Sequence, residues 1–418
     1  MMRRVVLAIL ALALASRAHG QNPAPEPIPA AQQGSGTSWL PASTPIAGHA
    51  TDAGGWHLML HYSVFAGVIV QGSDQDLTEA FTANWVMGMA QRPLWNGTLL
   101  FRSMLSAEPL LLKREGYPLL LQTGETAHGY PLVDRQHAHD LFMELATDYT
   151  HPLGASWGYE LYAALSGEPA LGPVAFMHRA SAERDPFAPI GHHWQDSTHI
   201  AFGVLTAGVY GKRAKLEGSW FNAREPDEHR LDLDLRKPES YSGRLTWNPT
   251  DDWSAQVSYG RLVGPEALEP DEDITRITAS AAYNRKLTDG NWASTFVWGR
   301  NETDHGNGDA YLVESTWTHG PHAVFARAEH VEKNGHEFGF GPARADEPLP
   351  VSALSAGYAH TLARFWGSVL DLGGVAYVGH VNDTLQAERY GTSTPASVTV
   401  FLQLRPRGGH VHHPGMKM

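Results

Sequence analysis

Tyr241-Ser-Gly-Arg-Leu-Thr-Trp-Asn-Pro-Thr-Asp-Asp-Trp-Ser-Ala-Gln-Val-Ser-Tyr-Gly260 is the stretch whose reading decides the fold. Tyr241, Gly243, Leu245 and Trp247 share one face of an extended chain, and Ser242, Arg244, Thr246 and Asn248 share the other. After the turn 248–252, Trp253, Ala255, Val257 and Tyr259 alternate with Ser254, Gln256, Ser258 and Gly260. Successive side chains of a strand point to opposite faces, so this is a hairpin with one apolar and one polar side. Aromatic residues sit near the ends of both apolar faces, where a membrane-spanning strand meets lipid headgroups. On this reading Val257 faces lipid, and Ser258 faces a polar lumen that would accept an arginine.

The pattern recurs outward from this hairpin. Alternating segments are expected at 56–71, 81–93, 96–107, 138–150, 156–167, 198–211, 214–223, 239–248, 252–262, 272–286, 290–301, 309–318, 321–333, 351–363, 366–380 and 394–406. The linkers alternate in length. Short ones include 93–95, 151–155 and 212–213; long ones include 108–137, 168–197, 224–238, 334–350 and 381–393. Bacterial outer-membrane barrels have an even number of antiparallel strands, short periplasmic turns and long outer loops. The expected fold is therefore all-β, a transmembrane antiparallel β-barrel of about 16 strands with long extracellular loops, both termini lying in the periplasm.

Composition agrees. The 418 residues include 13 Trp, 14 Tyr, 14 Phe and 42 Gly, suited to aromatic girdles and tight turns, and no Cys. Without Cys there are no disulfide staples, in spite of an oxidising compartment. The net charge of −13 argues against a nucleic-acid partner. The expected partners are outer-membrane lipid and lipopolysaccharide, the latter through divalent cations beside acidic outer loops, with small polar solutes or metal ions passing or binding.

The N-terminus reads as an export signal, 1–20. Arg3 and Arg4 supply positive charge, Val5–Ala15 an apolar run too short to span a bilayer, and Ala18-His19-Gly20 a cleavage site before Gln21. Residues 21–55, rich in Pro, Ala, Gln, Gly and Ser, read as a flexible periplasmic lead-in, too short to be the folded plug of an energy-coupled transporter. The barrel then occupies 56–406 and a His/Met-rich periplasmic tail 407–418, placing the protein in the bacterial outer membrane.

Several blocks resemble those of an uncharacterised family of bacterial outer-membrane β-barrel (porin-like) proteins. They are Gly116-Tyr-Pro-Leu-Leu-Leu-Gln-Thr-Gly-Glu125, Asp134-Arg-Gln-His-Ala-His-Asp-Leu-Phe-Met-Glu144 and Gly191-His-His-Trp-Gln-Asp-Ser-Thr-His199. Segments around Gly36–Trp39, Ser43–Pro45, Trp220–Asn222 and Arg224–His229 fit the same likeness, which spans most of the mature chain. The resemblance implies the barrel but no activity, and it carries over no catalytic residue.

Three constellations carry chemistry. The first is histidine in two long loops. His128, His137, His139 and Asp140 lie in or beside one; His178, His192, His193 and His199 lie in or beside the other, with Met177 and Asp196. Both loops emerge on the same side, so they could meet over the barrel mouth. Imidazole ligates copper, zinc and nickel, and a thioether favours Cu(I). The plainer alternative is a hydrogen-bonded lid. The second is the tail, where His410, His412, His413, Met416 and Met418 mix imidazole and thioether in a manner suited to copper; the alternative is an inert end. The third is charge on the inner face. Arg102, Glu144, Asp148, Glu160, Glu217, Arg244, Arg276, Glu314, Arg327 and Glu329 should line the lumen, either selecting solutes across a water-filled pore or neutralising one another.

The expected function is an outer-membrane channel or porin-like transporter for small polar solutes, linked to transition-metal handling with Cu or Zn as the candidate ion. The alternatives are a metal-binding outer-membrane protein without a pore, and a barrel-embedded lipid hydrolase using Asp196, Ser197 and a nearby histidine. No Gly-x-Ser-x-Gly elbow supports the last, so no enzyme is expected.

Overall fold

The computed structural model describes residues 32–72, 77–154, 156–267, 269–304 and 306–408. The expected signal, the first part of the lead-in, and His410, His412, His413, Met416 and Met418 lie outside the described residues. Sixteen strands form the wall. They are β1 (Trp56–Gly72), β2 (Leu77–Leu94), β3 (Gly97–Leu105), β4 (Phe142–Pro152), β5 (Trp157–Gly167), β6 (Ala201–Gly211), β7 (Ala214–Asn222) and β8 (Ser240–Thr250). Then follow β9 (Trp253–Leu262), β10 (Ile274–Leu287), β11 (Gly290–Thr303), β12 (Gly306–His319), β13 (His322–Asn334), β14 (Pro348–Phe365), β15 (Ser368–Val381) and β16 (Ala396–Pro406).

Each strand pairs antiparallel with the next, and β16 closes on β1 with Leu404 opposite Val64 and Ala396 opposite Gly72. Closure pairs the backbone around the ring and leaves no sheet edge, which is what allows strands to cross a bilayer. The facing follows the alternation read from sequence. Val257 is 53% exposed on the outer face, whereas Ser258 is 5% exposed on the inner face. Trp95, Trp157, Trp247, Trp253, Trp292, Trp317 and Trp366 are exposed at the short-turn end, forming a girdle at one headgroup level. Two of these turns need left-handed backbone, at Trp95-Asn96 (φ 48° and 63°) and Trp366-Gly367 (φ 48° and 80°). Two consecutive positive-φ residues match the right-handed twist of the flanking strands.

Boundaries shift where the loops do structural work. The fourth strand was expected from 138 but begins at Phe142, because Arg135-Gln136 pairs instead with Tyr117-Pro118 inside the mouth. The first strand gains a partner in His49–Ala53, which pairs with Trp56–Leu60 beyond the end of β16.

The main correction concerns residues 21–55. From Gln32 the chain is a packed plug within the barrel rather than a flexible lead-in. Its carbonyls are taken by the inner wall: Gly36 by Arg102 (2.5 Å), Thr37 by Lys215, Trp39 by Ser254 (3.1 Å), Leu40 by Asn248 (2.8 Å) and Ser43 by Asn284 (2.9 Å). The donors come from β3, β7, β8, β9 and β10, so the segment lies along half of the lumen. Composition alone concealed this: a Pro/Gly/Ser-rich segment has no core of its own, but it can satisfy polar side chains that the barrel would otherwise bury unpaired.

The 168–200 loop fills the other half. Its Phe187 packs with Phe81 (ring centroids 5.3 Å) and Tyr117 (6.2 Å), beside an inward apolar wall of Phe65, Ile69, Phe325 and Phe401. The 106–141 and 223–239 loops cover the outer mouth, joined where Arg230 meets Glu125 and Asp140, both at 3.3 Å.

Candidate functional site

All ten charged residues expected on the inner face do point inward, and all are buried. They do not line open water. Arg102 meets Glu144 at 3.0 Å, Lys215 joins Glu160 (2.8 Å) to Glu217 (3.2 Å), and Arg244 holds Glu217 at 3.0 Å. Asp148 lies beside Glu160 and Arg102. Arg327 reaches Glu314 at 3.1 Å, Glu329 accepts from the Ile190 amide at 2.7 Å, and Arg276 donates to Ser197 Oγ at 2.9 Å and to the His193 carbonyl. The lumen holds chain, and the charges are spent on that chain and on each other.

The histidines separate into groups. His128 stands on the surface of its loop, bonded to Glu115 at 2.8 Å, and takes no part in a cluster. His178 lies apart against Trp85 of β2 (4.9 Å between ring centroids). The other five come together from two loops, with 53 or more positions between the two sets in the chain. His137 and His193 converge on one carboxylate, Glu125, at 2.6 Å and 3.6 Å. Glu225 of the 223–239 loop reaches His193 Nδ1 at 2.8 Å. Glu125, His193 and Glu225 each offer a ligand atom within 4.8 Å of the others, a geometry able to hold a divalent ion. Their electrostatics describe an ionic latch in the present arrangement. Burial works against a charged His193, but Glu225 and then Glu125 override it and lift the imidazole to about 9. Three loops are thus pinned by one buried imidazolium.

The second group is His139, His192 and His199. His139 and His199 rings lie 5.7 Å apart, and His192 and His199 rings 5.0 Å apart. Each has its Nδ1 anchored: to Glu108 (3.0 Å), to the Asp196 carboxylate (2.6 Å) and to the Asp196 carbonyl (2.8 Å), respectively. His199 Nε2 is buried without a hydrogen-bond partner among the described residues. Histidines that ligate metals characteristically donate one ring N–H to a carboxylate or carbonyl and present the other nitrogen. Burial, reinforced by neighbouring imidazoles, holds His199 well below its ordinary value and therefore neutral. Asp140 is not among the ligands: it faces Arg230, and burial lifts its carboxyl to about 7.

Glu108, Glu125 and Glu225 were missed from sequence. Glu108 and Glu125 lie in the 106–141 loop and Glu225 in the 223–239 loop, and local spacing does not reveal which histidine each will meet. Of the Asp196–Ser197 pair, Ser197 Oγ accepts from Arg276 at 2.9 Å and Asp196 holds His192 and Arg179.

No family model matches the chain, and no curated protein matches it. Solved structures do. The chain is similar to an anion-selective porin from Comamonas acidovorans, at 11% identity over 84% of this chain and 99% of that one, with a TM-score of 0.54. It is also similar to OmpF of Salmonella typhi, solved in complex with daunomycin, at 8% identity over 85% and 100% of the two chains, with a TM-score of 0.51. At such identities the likeness is one of fold, and it agrees with the strand count, closure and girdle described above. The chain has the porin-like outer-membrane fold, a closed antiparallel β-barrel of sixteen strands.

Proposed function

We propose that the protein is a porin-type channel of the bacterial outer membrane for small polar solutes, with cations as the permeating class. The observation that carries this is an acidic cavity of about 320 Å³ at the loop end, whose lining includes Glu266, Glu269, Glu272, Glu332, Glu337 and Asp346. Carboxylates grouped around a pore mouth raise the local concentration of cations and repel anions. The net charge of −13 adds to the same field. The segment 32–44 and the 168–200 loop make the passage narrow, so they set the conductance in this reading. Planar-bilayer recordings of the refolded protein in a salt gradient test it. The expected result is small unitary conductance with a cation-selective reversal potential. Anion selectivity, or a barrel that conducts nothing, would overturn it.

A second reading is transition-metal binding by the lid without conduction, with copper or zinc as the ion. It is favoured by His139, His192 and His199, whose Nδ1 atoms are all anchored. Metal titration in the absence of conductance would distinguish it from the first.

A further inference from the structure

Three neighbouring strands carry methionine and histidine in alternation on their inner faces. β1 reads His57-Leu-Met59-Leu-His61, β2 reads Trp85-Val-Met87-Gly-Met89, and β3 reads Arg102-Ser-Met104. The intervening Leu60 and Val86 are exposed on the outer face, so the sulfur- and nitrogen-bearing set faces inward. Register then stacks them. Met59 is opposite Met89, His61 is opposite Met87, and Met87 is opposite Met104. Directly opposed residues have Cβ atoms ~4.5–5.5 Å apart, within reach of one bound ion for side chains as long as these.

The 168–200 loop closes the set from the lumen. Met177 packs against the same methionine cluster, and the His178 ring lies 6.3 Å from the His61 ring, with Trp85 beside both at 4.9 Å and 4.7 Å. Met59, Met87, Met89, Met177, His61 and His178 all line one cavity of about 200 Å³.

Two features separate this from methionine used as filler. His61 and His178 are half-buried on the cavity wall, and the contacts they make among the described residues are ring contacts with each other and with Trp85. The carboxylates of the same lining are already engaged: Glu108 by His139, Glu183 by Arg184 (3.3 Å) and Asp185 by Arg327 (3.5 Å). The arginines of the lining, Arg102, Arg179 and Arg405, are held by Glu144, Glu314 and Asp371, and the thioether and imidazole beside them are a donor set matched to soft monovalent ions rather than to Zn(II) or alkaline-earth cations. We propose that this cavity binds Cu(I) or Ag(I) through the sulfurs of Met59, Met87 and Met89 and ring nitrogens of His61 and His178. None of these five ligands belongs to the His139–His192–His199 group, although His139 also borders the cavity, and the site binds whether or not the barrel conducts.

The test uses the full mature chain refolded in detergent, with ¹³C-labelled methionine methyls, titrated with Ag(I) in chloride-free buffer. Signals are assigned by single Met→Leu changes, which conserve volume. The methyls of Met59, Met87 and Met89 should shift together and saturate at one equivalent, and Zn(II) should leave them unmoved. A Met59→Leu/Met87→Leu/Met89→Leu variant that keeps heat-modifiable migration should bind the first Ag(I) at least about tenfold more weakly. His178→Phe, in a loop rather than the wall, should weaken it similarly and serves if the triple variant does not fold. Shifts confined to Met416 and Met418, or parent-like affinity in these variants, would overturn the proposal.

Discussion

Arg179 and Glu314 are 135 positions apart in the chain and meet at 2.6 Å inside the barrel. The same guanidinium reaches Asp196 in its own loop at 2.8 Å, and Arg327 flanks Glu314 at 3.1 Å. One arginine therefore fastens the 168–200 loop both to itself and to β12. Replacing it with alanine strands two buried carboxylates with too little positive charge. The expected loss is ~3–5 kcal/mol, the range for breaking a buried pair by removing one partner. Arg179→Ala should lower the temperature at which the barrel loses its compact gel migration and should raise unitary conductance by freeing the loop. Unchanged conductance would show that this loop does not constrict the path.

Facing can be tested with two adjacent residues. Val257→Arg places a charge against lipid and should impair folding by ~2–4 kcal/mol. Ser258→Arg looked harmless while the lumen was taken to be open. Ser258 Oγ instead accepts from the Gly172 amide at 2.9 Å and shares a hydrogen bond with Thr278 at 2.7 Å. Arginine there has to displace the loop, so the folded yield should fall for this variant too. Truncating 168–200 in the same background should restore tolerance at 258 and not at 257.

Glu168 supplies a pH dependence. Burial lifts its carboxyl to about 7 in spite of Arg244, whose Nη1 is 3.6 Å away, and of the neighbouring Ser35. The folded value is above the ordinary 4.5, so the folded state carries a penalty that is absent below pH ~4.5 and complete above pH ~7. Lowering the pH through this window should stabilise the contact between the plug and the loop. Glu168→Gln removes the titration and should stabilise the protein at pH 8 by up to ~3 kcal/mol, while changing little at pH 4. Thermal unfolding followed at both values measures this. A variant less stable than the parent at pH 8 would refute it.

The lid makes a metal prediction that the sequence framed differently. The sequence groups the histidines by loop, with His137 and His139 in one and His192, His193 and His199 in the other. The structure instead groups His137 with His193 around Glu125, and His139 with His192 and His199. In a chain ending at Arg407, calorimetry with Cu(II) or Zn(II) should show binding that His139→Ala and His192→Ala each weaken at least about tenfold. His128→Ala should have no effect, because that side chain is on the surface with Glu115. Absence of binding in the tail-less parent would leave the five histidines as a hydrogen-bonded lid alone.

The wall was legible at the level of single residues. Val257 and Ser258, Leu245 and Arg244, and Val400 and Phe401 fall on the sides that strict alternation assigns them. Loop lengths gave the strand count, and the tryptophans at the short turns marked one membrane boundary. Inner-face histidine and methionine on β1 and β2 follow the same period of two.

What the sequence by itself determined is the barrel, because strand facing is a local property. Each residue's side depends only on its parity along the strand, and a one-residue slip would turn every apolar side chain inward. The contents of the barrel were decided by tertiary structure alone. Nothing local predicts that Arg102, Lys215 and Asn248 will take the carbonyls of residues 36–40, that Arg244 will reach the Thr37 hydroxyl, or that Glu125, His193 and Glu225 will meet from three loops. Those contacts form because closing the wall concentrates charged and polar side chains in a small volume. Burying them unpaired is costly, and the chain segments able to pair them happen to lie far away in sequence.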